Sequence, residues 1–125
     1  MSSTTGGRVK DPSETSGRLV AASKVNGTAV YDMKGERLGS VEDIMIDKIS
    51  GKACYAVLSF GGFLGMGTKE YPLPWEKLNY DVNMGGFVVD IDKAALDSAP
   101  VYAEGAMQEH DWRAVDTHYN TRSPY

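Results

Sequence analysis

Two histidines and one cysteine are the first side chains to weigh for chemistry in this 125-residue sequence. His110 and His118 both fall near the C-terminus, beside Glu109, Asp111 and Asp116. A metal site needs ligands converging from a fixed frame, and a short terminal stretch supplies none by itself. Any Ser-His-Asp or Cys-His arrangement would have to draw its base from that same stretch. The expectation is therefore no catalytic residue, no metal site and no cofactor. Cys54 lies in an apolar run of six residues, 53–58, which reads as a buried, inert thiol. A single cysteine also excludes an internal disulfide and a thiolate zinc cluster.

The carboxylates Glu42, Asp43, Asp47, Asp90 and Asp92 could in principle pair for acid–base work or hold a cation. Alternation along a strand sends Glu42 and Asp43 to opposite faces, so solvated faces and turn caps are the expectation. Asp43 in particular is expected to accept hydrogen bonds from neighbouring turn amides. The loop 61–67 invites comparison with a phosphate loop, but it lacks the Gly-Lys-Ser/Thr ending, and the following residues 70–74 read as extended rather than helical. Its Phe63, Leu64 and Met66, set among glycines, either plug a barrel end or form an apolar contact surface.

These residues must be positioned by short strands. Turn signals recur at Asn26-Gly27, Lys34-Gly35, Ser50-Gly51, Gly61-Gly62 and Gly85-Gly86. Between them the pattern predicts strands over 18–22, 27–31, 37–47, 52–60, 69–73 and 86–91, with a short one at 78–81, and such spacing means a sandwich or barrel. Leu38 and Val41 are out of phase by period 2, which calls for a bulge near Val41. Both phases of 52–60 are apolar, so that strand is expected to be covered on both sides. Pro72 and Pro74 mark a sheet edge, with Trp75 closing the core. The predicted core is Val30, Leu38, Val41, Ile44, Ile46, Val57, Leu58, Leu73, Trp75 and Val88.

Helix is scarce. Asp92 can cap a short turn through residues 93–96, which Pro100 stops. Asp111 can cap a helix whose Trp112, Val115 and Tyr119 share one face, and that face must dock to be stable. Residues 1–17, rich in Ser, Thr and Gly, read as a mobile tail, 18–103 as the folded domain and 104–125 as a C-terminal tail. The net charge of −4, with no basic stripe, argues against direct binding to nucleic acid. No apolar run approaches the roughly 20 residues of a membrane-spanning helix, and the N-terminus lacks a signal peptide's apolar middle, so the cytoplasm is the expected setting.

Residues 19–100 resemble the PRC-barrel family, found in the photosynthetic reaction centre H subunit and in a ribosome maturation factor. The resemblance rests on the strand from Gly27 to Tyr31, the turn Gly35-x-x-Leu38-Gly39 into Val41-x-Asp43, and Asp47 before Ser50-Gly51. The glycine-rich loop 61–67 and Pro72-Leu73-Pro74-Trp75 complete it. It implies an all-β fold, a small barrel of about six mostly antiparallel strands, and a docking role rather than catalysis, of the kind expected for a freestanding bacterial PRC-barrel protein. The expected function is then a protein-binding or adaptor module, with Phe63, Leu64, Met66, Trp112 and Tyr119 as contact residues and a dimer as the expected assembly. Small-ligand or metal binding through the loop 61–67 or the tail histidines is the alternative.

Overall fold

Alternating apolar residues punctuated by glycine turns demand a sheet, and the computed structural model, which describes residues 18–61, 69–91 and 93–124, has one of six strands. They are β1 (Ala29–Tyr31), β2 (Arg37–Ile46), β3 (Ala53–Phe60), β4 (Lys69–Pro74), β5 (Asn79–Asp81) and β6 (Gly86–Val88). Their order is β4-β3-β2-β1-β6-β5. Every neighbouring pair is antiparallel except β1 with β6, which is parallel. The sheet curls into a small barrel that does not strictly close: β4 and β5 are its edges, joined along the chain by a 3-10 turn over Trp75–Lys77. Pro72 and Pro74 sit on edge strand β4, where a missing N–H costs no ladder bond.

The curvature comes from irregular register. Against β3, Val41 pairs with Leu58 and Asp43 with Val57, which leaves Glu42 as the extra residue of the bulge expected near Val41. A second slip against β1, between the Val30–Gly39 and Tyr31–Arg37 pairs, bends the same strand again. Gly39 lies against β3 with no room for a side chain, since a Cβ there would run into the Ser59 carbonyl.

Of the expected core, Val30, Leu38, Val41, Val57, Leu58 and Leu73 are buried, and Ile44 and Trp75 pack against them partly covered. Two expectations fail. Ile46 is 56% exposed, because it lies at the strand end past the bulge. Val89, fully buried just after β6, takes the place expected for half-exposed Val88, so the inward phase runs from Phe87 to Val89. The strand expected at 18–22 is also absent. Ala22–Val25 instead forms a one-turn helix, α1, held by amides of Lys24 and Val25 donating to the Ala21 carbonyl. Gly27, at φ +91°, redirects the chain into β1.

After β6 a 3-10 turn spans Lys93–Ser98 and buries Leu96; Asp92 lies outside the described residues. Helix α2 (Glu109–His118) follows. Its N-cap is Gln108, three residues before the expected Asp111, which instead closes a capping box by accepting from the Gln108 amide at 2.9 Å. Among the described residues no helix is long and apolar enough to cross a membrane.

Candidate protein-docking site

The β2–β3 hairpin is built by one carboxylate. Asp47 accepts from the Ile49 amide at 3.4 Å and the Ser50 amide at 3.1 Å, and its backbone carbonyl takes the Gly51 amide at 2.8 Å. Gly51 supplies the left-handed residue at φ +78°. Hydrogen bonds from Ser50, then from Ile49, hold the Asp47 carboxyl below its ordinary pKa. The tightened turn thrusts Ile49 into solvent at 96% exposure, next to Ile46. Both line a groove of about 410 Å³ together with Met45, Cys54, Tyr55 and Trp112. Asp47 and Lys48 form its polar rim. Two β-branched side chains held out at the mouth of an apolar groove are the most conspicuous unsatisfied feature of this surface.

The groove's wall is α2, and a buried polar contact holds that helix in place. The Tyr55 hydroxyl donates to Asp116 Oδ2 at 2.8 Å, and the Thr121 hydroxyl donates to Oδ1 at 3.0 Å. Asp116 is only 6% exposed. The rings of Tyr55 and Trp112 stack with centroids 4.7 Å apart, and the Tyr102 ring lies 6.4 Å from that of Trp112. Val115 is fully buried. Tyr119 is buried as well, and its hydroxyl finds no partner among the described residues. Burial, and secondarily Tyr71, pushes the Tyr119 phenol up to about 12.

Of the sequence-expected contact residues, Trp112 therefore lines the groove half-buried and Tyr119 faces its own barrel. Phe63, Leu64 and Met66 lie outside the described residues. The Tyr55–Asp116 pair escaped the sequence reading, although Asp116 follows Val115 directly on the stripe of Trp112, Val115 and Tyr119, where a carboxylate needs a buried donor.

The other chemical candidates are placed as follows. His110 is exposed, with Nε2 3.4 Å from Asp111 Oδ1, and His118 packs edge-on against Tyr119. Eight residues of helix separate the two by about 12 Å along its axis, too far to share one ion. Among the described residues no His/Cys/Asp/Glu cluster could hold a metal. The Asp43 carboxylate accepts from the Ile44 amide at 2.8 Å, a neighbour within β2 beside the bulge rather than the turn amide expected. Cys54 is buried, and desolvation above all keeps its thiol raised and protonated.

A six-stranded, mostly antiparallel open barrel with a docked C-terminal helix is the class of protein defined by these elements. The PRC-barrel domain family model matches residues 18–96. The chain belongs to the PRC-barrel family. Among solved structures it is similar to a 16S ribosomal RNA processing protein, RimM, of Pseudomonas aeruginosa, at 18% identity and a TM-score of 0.40. That match covers 63% of this chain and 48% of the other, so the chain spans about half the length of that protein. No curated protein matches.

Proposed function

We propose that this chain is a non-catalytic protein-binding module of the cytoplasm that pairs with a second copy of itself through the groove beside α2. The observation that carries the reading is the exposure of Ile49 at 96% and Ile46 at 56% at the mouth of an apolar groove. Leaving such side chains wet forgoes transfer free energy that a partner surface recovers. A twofold axis beside the hairpin would set Ile46 and Ile49 of one copy against the groove of the other, meeting both demands with one interface. Phe63, Leu64 and Met66, in the sequence between β3 and β4, belong to the proposal as a further contact.

The non-catalytic part is supported by how the polar groups are used. Asp43 and Asp47 hold backbone amides, Asp116 holds hydroxyls, and Cys54 is buried and protonated. The net charge of −4 favours a protein surface over nucleic acid as the partner. Light scattering of the wild-type chain beside an Ile46→Glu, Ile49→Glu variant tests the reading. A dimer that becomes monomeric in the variant, with unchanged melting temperature, is the expected result; a wild-type chain that stays monomeric at micromolar concentration overturns it.

A further inference from the structure

The lining of the groove beside the β2–β3 hairpin carries only two charges, Asp47 and Lys48, adjacent in sequence and opposite in sign. They do not pair with each other. The ion pairs formed among the described residues are His110 with Asp111 and Arg113 with Glu109, so neither charge of the rim has an ion-pair partner there.

The anion of the rim is held in a fixed position. Asp47 Oδ1 accepts the Ile49 amide at 3.4 Å and Oδ2 accepts the Ser50 amide at 3.1 Å. A carboxylate offers about four acceptor sites, so two amides do not exhaust it. An acceptor already immobilised by its turn gives up little conformational freedom when it takes a cation from a second molecule. Lys48, exposed on the same turn, is a cation on a long flexible stem.

In an isologous interface every contact occurs twice, residue i on residue j and residue j on residue i. A rim of adjacent acid and base is therefore complementary to itself. A twofold axis running between Asp47 and Lys48 sets the lysine of each copy against the aspartate of the other. An unrelated partner would need a carboxylate and a cation of its own in the reverse order, which a second copy supplies by symmetry. We infer that reciprocal Lys48–Asp47 ion pairs fix the register of self-pairing, and that Lys48 selects a second copy over other apolar surfaces. This rests on the pairing through Ile46 and Ile49: the isoleucines provide apolar area, and the charges provide selectivity.

Sedimentation equilibrium of the full chain gives the dimer dissociation constant of wild type and of variants at about 50 mM and about 500 mM salt, across which exposed charges become screened. Lys48→Ala weakens pairing by about 2- to 30-fold at low salt, because two exposed ion pairs are lost per dimer. Lys48→Glu weakens it further by setting like charges together, and Lys48→Arg recovers most of what Lys48→Ala loses. These gaps from wild type narrow at high salt. Lys24→Glu, in α1 and outside the groove, makes the same change in net charge as Lys48→Glu and leaves pairing close to wild type. A wild-type dimer that Lys48→Ala and Lys48→Glu leave unchanged, gaps that salt does not narrow, or a Lys24→Glu chain weakened as much as Lys48→Glu would overturn the ion-pair inference and leave the pairing through Ile46 and Ile49 standing. A wild-type chain that stays monomeric at both salt concentrations would overturn the pairing itself, and this inference with it.

Discussion

Tyr55→Phe removes one oxygen and nothing else from the contact between barrel and helix. The ring keeps its place against Trp112, at 4.7 Å between centroids, so packing is preserved. What goes is the 2.8 Å hydrogen bond to Asp116, a carboxylate that is 6% exposed and keeps the Thr121 hydroxyl at 3.0 Å. A hydrogen bond to a charged group contributes about 1.5–3 kcal/mol. That corresponds to a roughly 10- to 150-fold rise in the opening equilibrium of α2, at 1.4 kcal/mol per decade. Amide hydrogen exchange reads this directly, for instance at Tyr119, whose N–H donates to the Val115 carbonyl at 3.1 Å. Asp116→Asn, which keeps an acceptor oxygen for Tyr55, should accelerate exchange less. Acceleration below about threefold in Tyr55→Phe, or an equal acceleration of β2 amides, would refute the assignment of this bond as the local lock on the helix.

Tyr119→Phe should slow exchange of α2 amides at neutral pH, because it deletes a buried hydroxyl that has no partner among the described residues. The same substitution should flatten an alkaline dependence. With the phenol at about 12 in the folded chain, against an ordinary value of about 10, the docked state holds its proton longer. Its contribution is therefore complete below about pH 10 and is lost as pH rises toward 12, which circular dichroism of wild type and variant over that window checks. Gly39→Ala should lower stability by about 2 kcal/mol or more in denaturant titration, since its Cβ meets the Ser59 backbone rather than a movable side chain. Leu58→Ala, at a fully buried site in the barrel interior, should cost about 3–5 kcal/mol by the same measurement; a loss under about 1 kcal/mol would mean the core is centred elsewhere.

Most strands were legible because their signals are local. Gly51 after Asp47 fixes a hairpin by backbone conformation alone, and the phase break between Leu38 and Val41 reports the bulge that leaves Glu42 unpaired. The doubly apolar run of β3 announced a cover on its outer side, and α2 provides it. What escaped depends on contacts distant in sequence or on competition between weak propensities. Ala21 and Ala22 favour a helical turn over the strand that Leu19 and Val20 imply, and nothing local decides between them. Ile46 reads as core by phase, and only the strand's end at the Asp47 turn exposes it. The Tyr55–Asp116 bond joins residues 61 positions apart, and neither side chain points to the other in the sequence. Nor does composition place Ile49 at the mouth of a groove, since the turn that projects it and the helix that forms the wall meet only in the fold.

The docking claim stands or falls on the state of the chain in solution. Sedimentation of the wild-type protein and of the Ile46→Glu, Ile49→Glu variant at micromolar concentration measures it. A wild-type dimer is expected, with a monomeric variant that melts at the wild-type temperature, because Ile49 at 96% exposure and Ile46 at 56% contribute little to the fold of one copy. A monomeric wild-type chain, or a variant that remains a dimer, would contradict it.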